Sequence, residues 1–157
     1  MIAQLQGIAE FSRAVRVNSL VLQSDTTAID VEGNIIGETV DSQIETIMET
    51  ARQSMNAAGA VIAGTFRARL YVKGEENVEL AEKSFNRFFP ERHPATTIFE
   101  ICLFTRPGQL IEIKLEAAIN VSPSSLETSK QFLTKPQNSI QVDDKIFIGA
   151  LSTKGHS

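Results

Sequence analysis

The sequence predicts an α+β domain in which two helices cover one face of a single β-sheet. Three observations carry this. The segment Thr39 to Ala58 places its apolar residues at helical spacing. Segments on both sides alternate apolar and polar residues with a period of two. The elements run strand, strand, helix, strand, helix, strand, strand, so both helices can lie on one face of the same sheet.

Leu20 to Ser24 reads as the first clear strand, being short and apolar. The Gly33-Asn34 signal after Asp30-Val31-Glu32 predicts a hairpin between this strand and the next. Thr39 to Ala58 follows as a long helix. Val40, Ile44, Ile47, Met48, Ala51, Met55 and Ala58 form its apolar stripe, and Glu45, Glu49, Arg52 and Asn56 its solvated face. Gly59 stands where a left-handed residue ends a helix. In Thr65 to Val72, Phe66, Ala68, Leu70 and Val72 point one way, and Arg67, Arg69 and Tyr71 the other. Asn77 to Phe89 predicts a second helix and Ala95 to Phe104 a strand. Leu110 to Ile119 alternates Ile111, Ile113, Leu115 and Ala117 against Glu112, Lys114 and Glu116. The sheet face away from the helices is therefore rich in charge, which suits a subunit interface better than a free surface.

The chain has 157 residues and a formal net charge of −4. That charge argues against a nucleic-acid binder, which needs a basic face. The longest apolar runs are too short for a membrane span, and no signal peptide is read at Met1, so a cytoplasmic protein is expected. A lone cysteine, Cys102, excludes an intrachain disulfide and reads as a small buried apolar residue. His93 and His156 lack the thiol company of a zinc site, so no metal is expected. Residues 121–157 change character. Ser122 to Ser125 looks like a linker, and Ser139 to Gly149 like one or two short strands that echo Val17 to Ser24. That echo suggests an incomplete second repeat, or a relative of tandem-domain proteins.

Several stretches together resemble the RidA family, also called YjgF or L-PSP. They are Phe11 to Val17, Gly37-Glu38-Thr39-Val40 with Gln43, Ala57-Ala58-Gly59-Ala60, Pro94-Ala95-Thr96-Thr97 and Leu110-Ile111-Glu112-Ile113. The resemblance covers about Glu10 to Asn120 and so predicts a RidA-like domain over residues 1–120. It implies a single mixed sheet with two helices on one face, of the RidA/chorismate-mutase-like kind. It also implies a homotrimer whose sheets surround a central barrel, with ligand clefts between subunits. The activity implied is hydrolysis of imines and enamines to keto compounds and ammonia. This chemistry needs a guanidinium for the substrate carboxylate and a glutamate for the proton. No cofactor is expected, and the ligand is expected to be a small anion.

Departures from the family pattern fall in the implied cleft. Thr96 stands where the family has the arginine of Pro-Ala-Arg, and Ile98 where deaminases often carry Cys. Ser24-Asp25-Thr26 replaces Ser-Gly-Gln, Phe11 replaces a tyrosine, and Glu82 an asparagine. Glu112 keeps the position of the family's catalytic glutamate. The Thr26-Thr27-Ala28 and Arg69-Leu70-Tyr71-Val72 stretches are similar to a divergent branch in which Arg69 could serve the cleft from another strand. The resemblance thus nominates Glu112 for proton transfer. It nominates Arg69, Asp25, Thr96, Ile98, Tyr71, Phe11 and Ser24 for substrate binding. Arg67 and Arg69 have an alternative role as cross-strand partners of Glu112 and Glu116. The chain as a whole reads either as an imine hydrolase or tautomerase, or as a non-catalytic trimer that binds a metabolite or a protein.

Overall fold

A computed structural model describes residues 12–121 and three short strands beyond them. Phe11 and His156 lie outside the described residues, as does the linker reading at 122–125. The chain forms β1 (Ala14–Val17), β2 (Leu20–Gln23), α1 (Val40–Ala57), β3 (Thr65–Lys73), α2 (Val78–Asn86), β4 (Ala95–Ile101) and β5 (Ile111–Ala118). Its five-stranded sheet has the order β1-β2-β5-β3-β4. Only β3 and β4 run parallel; the other pairs are antiparallel, so the sheet is mixed. Farther on, β6 (Glu127–Thr128), β7 (Ser139–Val142) and β8 (Lys145–Ile148) form a separate three-stranded antiparallel sheet.

Helix α1 forms where the apolar stripe predicts it. Thr39 caps its start: its hydroxyl accepts from Ser42 N, while the Ser42 side chain accepts from Thr39 N. Gly37, two residues upstream, has φ +90, and a Cβ there would lie 2.5 Å from Ser42 Oγ. Only glycine satisfies both the backbone angle and the space. Val40, Ile44, Ile47, Met48, Ala51 and Met55 are buried against the sheet. They meet Ala68, Leu70 and Val72 of β3 and Ile111, Ile113 and Leu115 of β5 in one core cluster. Each Val, Ile, Leu or Met side chain among them taken fully out of water stabilises the fold by roughly 1.5–3 kcal/mol before entropy is counted. Helix α2 adds Ala81 and Phe85 to the same cluster and is joined to α1 by Asp41, which accepts from Ser84 and pairs with Arg87.

Four local expectations are corrected. The opening hairpin joins β1 to β2 through Asn18 and Ser19, with Asn18 in the left-handed region at φ 55. The Gly33-Asn34 signal instead closes a loop held by Asp30 Oδ1, which accepts from Glu32 N and Asn34 N, and by one bridge between Ile29 and Ile35. Phe66 does not face the helices. A bulge between Thr65 and Arg67 adds a residue to β3, and Phe66 packs with Ala95 and Ala118 in a second small cluster. Cys102 lies just past the end of β4 and is exposed rather than buried.

Candidate functional site

The face away from the helices is organised in rows by strand register. Glu112 of β5 lies opposite Tyr71 of β3, which lies beside Phe99 of β4. The Tyr71 and Phe99 rings stack at 5.1 Å, nearly parallel at 13°. In the next row Lys114 lies opposite Arg69, beside Thr97; in the third, Glu116 lies opposite Arg67, beside Ala95. Glu116 takes both arginines, with Nη1 of Arg69 at 3.3 Å and of Arg67 at 3.8 Å. One carboxylate therefore serves two guanidiniums, and Lys114 adds a third cation directly across from Arg69. Like charges facing each other across a strand pair destabilise it unless an anion lies between them.

Glu112 takes no part in that ion-pair set. It is half-buried, and Thr27 Oγ1 donates to its Oε1 at 3.1 Å. Thr27 in turn accepts from Gln109 Nε2 at 3.2 Å. Burial raises the Glu112 pKa above the ordinary carboxylate value; the Thr27 hydrogen bond lowers it, the nearby Asp25 charge raises it and Arg106 lowers it, for a net rise. A carboxyl group shifted upward holds its proton to higher pH than a free carboxylate, which favours general acid–base work.

These neighbours meet because β2 continues past its end. Thr26 exchanges backbone hydrogen bonds with Ile113, which aligns Asp25 and Thr27 alongside β5. The turn between β4 and β5 brings Arg106 and Gln109 to the same end of the sheet. That turn and the loop after Gly33 form the walls of an open groove of about 590 Å³, lined by residues including Gly37, Glu38, Arg106, Gly108 and Leu110. Buried Gln43 of α1 ties the walls together. Its Nε2 donates to Gly37 O at 2.9 Å and to Gly108 O at 2.8 Å, and Leu110 N donates to its Oε1 at 2.9 Å.

Of the residues nominated from sequence, Glu112, Tyr71 and Arg69 share the open face, and Asp25 acts on Glu112 from the end of β2. Ser24 is adjacent, but its hydroxyl donates to Arg13 O. Thr96 and Ile98 are not brought to this group. In the parallel register they lie beside Ala68 and Leu70, on the helix side, and Ile98 packs against the main core. Thr97 and Phe99 share the row positions of Arg69 and Tyr71 instead. Thr27, Gln109 and Arg106 were not nominated. Pro107-Gly108 is a turn signal, but nothing local in sequence says that the turn closes onto Glu112. Among the described residues no cluster of His, Cys, Asp and Glu is placed to hold a metal ion, and no helix is long and apolar enough to cross a membrane.

This mixed sheet with two helices on one face, and a glutamate at the end of its open face, defines the class of small α+β domains to which the sequence resemblance points. The chain belongs to the Endoribonuclease L-PSP family, the RidA/YjgF group, whose family model matches residues 1–119. It is 20% identical over 95 residues to the chloroplastic Reactive Intermediate Deaminase A of Arabidopsis thaliana. That match takes in 60% of this chain and 51% of the relative, so the chain spans about half the length of that curated protein. A YjgF/YER057c/UK114-family structure from Mycobacterium tuberculosis superposes with a TM-score of 0.65 at 25% identity, over 74% of this chain and 92% of that one. Yeast Mmf1 does so with a TM-score of 0.65 at 12% identity, over 71% and 89%; at that identity the likeness shows the fold alone.

Proposed function

We propose that the chain is an imine or enamine hydrolase, a deaminase working at clefts between the subunits of a homotrimer, with residues 1–120 as its working domain and 121–157 as an extension. The observation that carries this is Glu112: a half-buried carboxyl group with a raised pKa, outside the ion-pair set, flanked by Arg106 on one side and the Lys114–Arg69 row on the other. Family membership and the deaminase name of the Arabidopsis relative support the reading.

The chemistry follows from that arrangement. An iminium carbon takes up water; Glu112, as carboxylate, removes a proton from that water as the C–O bond forms. The protonated carboxyl then returns that proton to the amino nitrogen; the C–N bond breaks to release ammonia, and the hydroxyl proton of the protonated ketone left behind passes to the ammonia. Iminium and water become a ketone and ammonium, with Glu112 restored. Arg69 is the nominated anion partner, and Lys114 opposite it adds to the attraction. Arg106 is a second cation close enough to act on Glu112. Tyr71, stacked on Phe99, offers a flat apolar wall beside the carboxyl group. The exposed apolar residues Leu22 and Phe99 on the same face fit burial against neighbouring subunits.

The test generates 2-aminoacrylate-type and cyclic imines in place with a lyase or an amino-acid oxidase and follows ammonia and keto-acid release. Acceleration by the wild-type chain, lost in Glu112→Gln, is expected. Arg69→Ala and Arg106→Ala then separate the two cations, since the one that holds the anion raises KM when removed. Light scattering reports the trimer. No acceleration from a folded trimer would refute the hydrolase reading. One observation favours a non-catalytic binder: Thr96 supplies no guanidinium, and Arg69 is already engaged by Glu116. That reading predicts calorimetric binding of small carboxylates without turnover.

A further inference from the structure

We propose that Thr27 and Gln109 are positioning residues that hold Glu112 in one orientation, with Oε1 tied down and Oε2 left as the reacting oxygen; this rests on the hydrolase reading above. The Gln109 amide nitrogen can only donate, and it donates to Thr27 Oγ1. The Thr27 hydroxyl hydrogen is then directed to its other neighbour, Glu112 Oε1. The polarity of the chain is thus set from Gln109 to Thr27 to Glu112.

Both supporting residues are well placed to be rigid. Gln109 is 2% exposed and Thr27 7% exposed. Gln109 is flanked in sequence by Gly108 and Leu110, the two groups of the turn that Gln43 holds. Thr27 is fixed by the backbone bonds of Thr26 to Ile113. The carboxyl group is therefore anchored from two separate segments, whereas its outer oxygen has no hydrogen bond among the described residues. An oxygen held in this way keeps one geometry through a proton-transfer cycle, which conserves the alignment on which such catalysis depends. The charged or titratable groups around Glu112 are Asp25, Arg106, Tyr71, Lys114 and Arg69. None of them occupies Oε1, so the Thr27 contact is separable from them.

The experiment uses the full chain labelled with carbon-13 at the glutamate carboxyl groups, with the Glu112 signal assigned by its loss in Glu112→Gln. Its titration is compared in wild type, Thr27→Val and Thr27→Ser. Valine removes the donor at nearly constant shape, so the Glu112 midpoint rises; serine keeps the hydroxyl and restores it. Gln109→Leu moves the midpoint in the same direction as Thr27→Val but less, because Thr27 keeps its hydrogen while losing the partner that aims it. In the ammonia assay Thr27→Val lowers kcat by roughly tenfold to a hundredfold with KM held, and the pH profile shifts with the midpoint. An unchanged Glu112 midpoint in folded Thr27→Val overturns the proposal. The titration reads the positioning without turnover, so an inactive wild-type chain would refute the hydrolase reading and leave this measurement to decide by itself.

Discussion

Replacing Gln43 by leucine keeps the volume of a fully buried side chain and removes three hydrogen bonds at once. The side chain spans α1, the loop at Gly37 and the turn at Gly108 to Leu110, with contacts of 2.8 to 2.9 Å. A net hydrogen bond contributes about 1 kcal/mol, and a buried group left without a partner costs up to about 3 kcal/mol. Gly108 is exposed and Gly37 partly so, so water can reach their carbonyls and the lower figure applies. Three losses at about 1 kcal/mol each give about 3 kcal/mol. For a chain of this length that lowers Tm by roughly 10 °C. The assay is urea unfolding at fixed protein concentration, with the midpoint falling and the slope unchanged. Gln43→Glu sharpens it. Its carboxylate would face two carbonyl oxygens, so this variant is more stable at pH 4 than at pH 7, where it is ionised. A loss below about 1 kcal/mol in Gln43→Leu would refute the claim that this side chain holds the two walls together.

Three further outcomes are expected. Glu112 binds its proton more tightly when folded than when unfolded, so its contribution to wild-type stability is lost as pH rises from 4.5 through the raised folded value. Glu112→Gln lacks that loss; its stability gap over wild type opens above pH 4.5 and then levels off, and a gap independent of pH would contradict the shift. Thr39→Ala removes the cap of α1 and costs about 1 kcal/mol by chemical denaturation, with Thr39→Ser close to neutral. Phe66→Ala empties the small cluster beside Ala95 and Ala118 and costs about 3 kcal/mol. That cluster shares the face assigned to the proposed trimer, so the same substitution is expected to weaken that trimer in light scattering.

The parts of the fold legible in sequence are those in which one periodicity dominates. Helix α1 and strand β5 were readable because Val40 to Met55 on one stripe and Ile111, Ile113, Leu115 and Ala117 on one face serve the same core. The opening hairpin was not, since Asn18 and Ser19 carry a weaker turn signal than Gly33-Asn34, and the stronger signal was used for a loop. Phe66 followed the alternation on paper; one extra residue at a bulge turned it to the other face. The site divides the same way. Glu112 was legible by its position in a motif, and Arg69 by its face. The alternative role of Arg67 and Arg69 as cross-strand partners of Glu116 was legible as well; that they share this one carboxylate follows from the register of β3 with β5, and the face of Thr96 and Ile98 from the parallel register of β3 with β4. Neither register is written in a local pattern. Thr27, Gln109 and Arg106 reach Glu112 only through the closure of the sheet.

Strand β5 is the last strand of the five-stranded sheet to be synthesised, yet it lies at the centre, between β2 and β3. On a ribosome, β1 and β2 have nothing to join to β3 until residues 111–118 have emerged. Until then the apolar stripe of α1 lacks Ile111, Ile113 and Leu115 from its core, and a fragment ending before Ile111 has two disconnected sheet pieces instead of a smaller sheet. The same strand carries Glu112, so the appearance of the carboxyl group and the completion of the sheet are one event in the life of each new chain.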